Sequence, residues 1–148
     1  MSSKNDKIKL HFDRFSFSVS AEAVKRLVLK EMDRLSKETG ISIDHIPIEF
    51  YDNEKGVTIA YFQHCGTKPL KFAFHLNKFN GASANGIIDT VRHEFAHFVA
   101  LVRKGDAIKP HGPEWKAICA ELGAAPSPYA DRSVTQHFIP NGNNDLFA

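Results

Sequence analysis

Cysteine is scarce in this chain. Cys65 and Cys119 are the only two, and they are far apart with no C-x-x-C pair. A disulfide framework is therefore excluded, and the expectation is two free, buried thiols in a reducing, cytoplasmic compartment. Long apolar runs are missing too, which excludes a membrane-spanning helix. The first residues, Met1 to Asp6, are polar and lack the apolar stretch of a secretory signal. Charge of one sign is not in excess: 19 Lys and Arg stand against 17 Asp and Glu, for a net +2. That balance is too weak to predict nucleic-acid binding. Lys25, Arg26 and Lys30 fall together on a predicted helix, and such a group reads first as a solvated face. There are no internal repeats. What the chain has is enough apolar material for one domain: 148 residues, 43% hydrophobic, with twelve phenylalanines.

The order of elements follows from periodicity. Ile8, Leu10, Phe12 and then Phe15, Phe17, Val19 alternate, which predicts extended structure or an aromatic clamp on the core. Ser20 is placed to cap a helix running to Lys37, with Val24, Val28, Met32 and Leu35 apolar and Gly40 beyond its end. Three strand-like stretches follow, Ile46 to Tyr51, Val57 to Phe62 and Leu70 to Leu76, with turn residues between them. Ser83 then caps a long helix whose apolar side is Ile87, Ile88, Val91, Phe95, Phe98, Val99 and Val102, ending at Arg103, Lys104 and Gly105. Pro113 suits the first position of a last helix to Leu122, with Trp115, Ile118, Cys119 and Leu122 as its buried stripe and Gly123 closing it. Layer logic makes this α+β: an N-terminal helix, a three-stranded antiparallel sheet, a long helix and a following helix. From about Ser127 the composition is rich in proline, serine and asparagine, and residues 127–148 are expected to be a partly disordered tail after a domain of residues 1–126.

The long helix carries His93-Glu94-Phe95-Ala96-His97, an H-E-x-x-H sequence. Side chains four apart share one helix face, so His93 and His97 can offer two imidazoles to one metal ion. Glu94 is rotated by about 100° from His93 and can act as a base without ligating. Two ligands plus a base is the zinc-peptidase pattern. The histidines fall roughly opposite the Val91/Phe95/Phe98/Val102 stripe, with small Ala96 and Ala100 nearby. That face is expected to leave room for an ion and a substrate.

A catalytic zinc usually takes three protein ligands. His111, in Pro110-His111-Gly112-Pro113-Glu114-Trp115, follows His97 with enough chain between to turn back. Glu114 is a rival third ligand and Asp106 a weaker one. Spacing alone leaves these open.

Residues from about Asn77 to Leu122 resemble the SprT-like zinc metallopeptidases, the family of bacterial SprT and the catalytic domain of Spartan. The pieces that carry the resemblance are His75-Leu76-Asn77, then Asp89-Thr90-Val91-Arg92-His93-Glu94-Phe95-Ala96-His97, then His111-Gly112-Pro113-Glu114-Trp115-Lys116. The last block is the specific part. The resemblance implies that His111 is the third zinc ligand beside His93 and His97, that Glu94 is the catalytic base, and that the fold is zincin-like. It argues against the metzincins, whose third histidine would fall on Arg103. Many SprT-like proteins carry a cysteine-rich zinc ribbon after this domain, and this chain has none.

The expectation is thus a zinc metalloendopeptidase with Zn2+ as cofactor and protein substrates. The resemblance extends those substrates to proteins bound or crosslinked to DNA, with DNA as a partner. Tyr129 and His137 are loose candidates for an added oxyanion donor. Two other classes compete: a zinc-stabilised module that binds DNA or protein without turnover, and a zinc hydrolase acting on something other than a peptide. Glu94 weighs against the first, since a structural site needs no base.

Overall fold

A computed structural model describes residues 7–12, 15–52 and 59–126. Strands β1 (Lys7–Phe12) and β2 (Phe15–Ser20) form an antiparallel hairpin, as their alternation predicts. Ile8 and Leu10 point from it into the core. Helix α1 (Ala21–Thr39) follows at once. Its cap is Ser20, whose hydroxyl accepts the Ala23 N–H at 3.1 Å, and Gly40 ends it in the left-handed region at φ 74°. Val24, Val28, Met32 and Leu35 are its buried stripe.

Strands β3 (Ile48–Tyr51), β4 (Ala60–Cys65) and β5 (Lys68–His75) form the second sheet, in the order β3-β5-β4. Here the expectation of a three-stranded antiparallel sheet is corrected. β4 and β5 are an antiparallel hairpin, but β3 pairs with β5 in parallel. Period-two alternation reports which face a side chain takes and is silent on the direction of the neighbouring strand. The chain leaves β3, crosses to the far edge and returns through β4, so β5 ends in the middle. Val57 and Thr58, expected to begin β4, lie outside the described residues.

The inner face of this sheet packs on helix α2 (Ala84–Lys104) through phenylalanines. Phe72 lies edge-on to Phe98 at 5.7 Å between centroids, and Phe98 edge-on to Phe95 at 5.5 Å. Such contacts stabilise beyond the area they bury, by roughly 0.5–1.5 kcal/mol a pair. α2 starts at Ser83, whose hydroxyl accepts the Gly86 N–H at 2.9 Å, and Gly105 closes it on the Leu101 carbonyl. Helix α3 (Pro113–Leu122) begins on Pro113 and ends on left-handed Gly123, and it buries the four residues expected of it. The fold is α+β with three helices and two small sheets among the described residues. No helix there is long and apolar enough to cross a membrane.

Three further expectations change. Val102 is 51% exposed and leaves the apolar stripe. The opposite face of α2 is closed, not open: Ala96, Ala100, His93 and Glu94 are all buried. α3 lies over that face, so α2 is covered on two sides. Of the cysteines, Cys119 is buried as expected, whereas Cys65 is exposed at the β4–β5 turn.

Candidate metal centre

His93, Glu94 and His97 sit in the middle of α2, on the side that meets α3. His93 is completely buried and Glu94 is 2% exposed, while His97 and His111 are partly exposed. One indole organises the imidazoles. Trp115, buried on α3, lies flat against the His97 ring at 5.2 Å and 18° between planes. It meets the rings of His93 at 5.5 Å and His111 at 4.7 Å. Its N–H also donates to the His93 backbone carbonyl at 3.3 Å. The flat packing face of Trp115 is legible in the sequence as a core position. Its contact with three histidines is not.

His111 reaches the group from the loop before α3. Its ring is 4.9 Å from that of His97. Two imidazoles sharing a tetrahedral zinc at Zn–N of about 2.0–2.1 Å would stand roughly 5 Å apart, centroid to centroid. Bringing His111 there costs backbone strain: among the described residues it is the non-glycine residue with positive φ, at 63°. A residue with a Cβ pays on the order of 1–2 kcal/mol for the left-handed region. The turn is tight around it. Gly112 donates its N–H to the Lys109 carbonyl at 3.0 Å, and a Cβ on Gly112 would approach that same oxygen to 3.0 Å. Glu114 and Asp106, the rival ligands, are both exposed.

The His93 ring faces protein on one edge. Its Nε2 lies 2.5 Å from the Ala125 carbonyl oxygen and 3.2 Å from Asp89 Oδ2. Among the described residues, no group of three or more His, Cys, Asp or Glu side chains closes around a single point. The donor chemistry nevertheless fits zinc. Three imidazoles gather on one indole, two of them at the spacing one ion requires, and the buried Glu94 carboxylate follows His93 on the same helix.

An ion-pair network centred on buried Glu31 ties α1 to α2. Glu31 of α1 accepts from Arg34 Nη2 and from Arg92 Nε, each at 2.7 Å, and Arg92 Nη1 donates to the Gly123 carbonyl at 2.9 Å. Burial pushes the Glu31 carboxyl up, but the hydrogen bonds and charges of Arg34 and Arg92 outweigh it and hold the group below the usual value. Arg92 immediately precedes His93, so this network fixes α2 at the point where the site begins. Sequence reasoning missed Glu31, Arg92 and Asp89 as supports. Only Asp89, one helical turn before His93, had a spacing that could have revealed it.

Lys25 pairs with Glu22 at 3.3 Å and lies 5.8 Å over the Phe50 ring. Tyr129 and His137 lie outside the described residues.

No curated protein and no solved structure gives a significant match to this chain. The sequence profile of the SprT-like family does, over residues 9–136, which takes in all but the first two residues of the sheets, all three helices and every histidine of the centre. With the H-E-x-x-H helix and the returning histidine loop inside that span, the chain belongs to the SprT-like family.

Proposed function

We propose that the protein is a zinc-dependent metallopeptidase that hydrolyses peptide bonds in protein substrates. The observation that carries this reading is His111. A residue held at φ 63° sets its imidazole 4.9 Å from that of His97, in the middle of the H-E-x-x-H helix. Local strain of that kind is sustained where the surroundings and the task require it.

His93, His97 and His111 would hold the ion as neutral ligands. Bound zinc supplies Lewis-acid polarisation of the scissile carbonyl and lowers the pKa of water at the site. The rest of the chemistry belongs to the chain. Glu94 is buried next to the histidines, where its carboxylate takes the proton of the attacking water and returns it to the leaving amine. Trp115 keeps the imidazoles in register and water away from their inner side. An extended substrate segment would pair with an edge strand of the β3-β5-β4 sheet, main chain to main chain. The proposal extends to proteins bound or crosslinked to DNA, with DNA as a partner, the substrates that the family resemblance suggests.

The test joins metal analysis to a cleavage assay. Purified protein should hold one zinc per chain, and His97→Ala should lose most of it. Wild type should cleave a loosely folded protein, assayed with and without single- and double-stranded DNA. Glu94→Gln should keep zinc and fold but lose at least ~100-fold in rate, the lower end of a general-base contribution. Absence of zinc uptake removes the site. Zinc binding with tight DNA or protein binding and no cleavage favours the non-catalytic module.

A further inference from the structure

We propose that Arg92 is a positioning residue: by gripping the end of α3 it sets how that helix lies on α2, and with it where Trp115 and His111 stand in the centre. The inference rests on the zinc reading given above.

Arg92 lies on α2 and its side chain is 21% exposed. Its guanidinium donates in two directions. Nε meets Glu31 Oε2 on α1 at 2.7 Å, and Nη1 meets the Gly123 carbonyl at the end of α3 at 2.9 Å. The first bond aims the second. Glu31 is buried, and its carboxylate is already fixed by the fork of Arg34, from Nε at 3.0 Å and Nη2 at 2.7 Å. A planar guanidinium tied to a fixed carboxylate presents its remaining N–H groups in a set direction. At the other end, Gly123 is the left-handed residue that closes α3. Carbonyls at a helix end have no intrahelical donor, and a cation there also complements the helix dipole. The approach is close: a Cβ on residue 123 would stand 3.1 Å from Arg92 Nη1.

A second arginine of α2 reaches the same end of α3. Arg103 donates to both carboxylate oxygens of Glu121, at 2.8 and 2.9 Å, but both partners are exposed. An exposed pair of this kind contributes little. The grip that holds is the one anchored on buried Glu31. Its effect is carried along the helix. α3 has ten residues and is a rod of about 15 Å. Its first turn bears Trp115, which touches all three imidazoles, and follows directly on the His111 turn. Released at Gly123, the rod pivots and draws Trp115 and His111 away from His97.

The discriminating variant is Arg92→Lys. An ammonium keeps the charge beside Glu31 but lacks the fork that meets Glu31 and Gly123 together. Hydrogen exchange in zinc-free protein reads the grip, through the Gly123 and Ala124 amides that close α3 on the Ala120 and Cys119 carbonyls. In Arg92→Lys these two should exchange about tenfold faster, as expected for the loss of one charge-assisted hydrogen bond. The amides of α1 should keep their wild-type rates, whereas a merely structural role would speed both helices alike. Arg103→Ala should leave all of them near wild type. Zinc affinity, measured by competition with a chelator, should fall about tenfold in Arg92→Lys, the low end of the cost of losing an outer support of a metal ligand. The proposal is overturned if Arg92→Lys leaves the Gly123 and Ala124 amides unmoved, if α1 loosens with them, or if Arg103→Ala loosens them as much. It is overturned equally if they loosen and zinc binds as tightly as to wild type. Should Arg92→Lys fail to fold, Glu31→Gln removes the carboxylate that aims Arg92, and the α3 amides and zinc affinity are read in it by the same criteria. A wild type that takes up no zinc removes the proposed function instead, and the exchange measurement then decides the grip by itself.

Discussion

Trp115 is the only tryptophan in the chain, and its indole touches all three imidazoles of the candidate centre. Replacing it with phenylalanine keeps an aromatic ring and removes two identifiable things. The first is the part of the indole that phenyl cannot fill, about 50 Å² of buried apolar surface, or roughly 1 kcal/mol at ~25 cal/mol per Å². The second is the N–H donated to the His93 carbonyl, worth about 1 kcal/mol when its buried acceptor is left without it. Trp115→Phe should therefore destabilise the zinc-free protein by about 2 kcal/mol, a loss of roughly 6–10 °C in melting temperature for a domain of this size. Calorimetry or circular dichroism reads this directly. Zinc affinity should fall about tenfold in the same variant, because the imidazoles lose the surface that aligns them. Wild type carries its own assay. With the indole stacked on His97, zinc uptake should change tryptophan emission and saturate at one equivalent. An emission indifferent to zinc that the chain demonstrably binds would refute the placement of Trp115. So would a Trp115→Phe variant that melts with wild type.

Other outcomes follow from particular groups. His111→Ala should weaken zinc binding far more than Glu114→Ala, since His111 is the residue brought to His97 and Glu114 is exposed; a chelator competition showing the reverse order would make Glu114 the ligand. Gly112→Ala places a Cβ 3.0 Å from the Lys109 carbonyl oxygen, so the turn must shift and carry His111 with it; zinc affinity should drop while α3 helicity persists by circular dichroism. Glu31→Gln should cost about 2 kcal/mol at neutral pH, less than the roughly 3–5 of a fully buried pair because Arg34 is 45% exposed. Glu31 also sets a pH dependence: its carboxyl is held below its ordinary value, so its contribution is complete above that value and is lost as pH falls through the lower, folded one. Melting curves from pH 6 down to 3 should fall more steeply for wild type than for Glu31→Gln, and parallel curves would count against the network.

Much of the architecture is legible because each helix advertises its own ends. Ser20, Gly40, Ser83, Gly105, Pro113 and Gly123 all stand where capping chemistry places them. Strand existence is legible for the same reason, since alternation is a local signal. The direction of β3 is not, because pairing with β5 depends on a crossover that no single segment encodes. The site divides in the same way. His93 and His97 are bound by helical spacing, and resemblance supplied His111. The closed face of α2 was misjudged, since Ala96 and Ala100 read as open space until α3 is laid over them. Ala125 is beyond any motif: it contributes a carbonyl, which every residue has.

The bond from His93 to Ala125 spans 32 residues and ends close to the last residues that the fold describes. During synthesis His93 and Glu94 emerge well before Ala125. A nascent chain can lay α2 against the sheet, but the His93 ring lacks its Ala125 contact until residue 125 has cleared the ribosome. The order of synthesis therefore places this contact last, after the sheets and helices have been made. It also sets a rule for shortening the protein: a version that stops at the end of α3 keeps His93, His97 and His111 but loses the Ala125 carbonyl that His93 meets.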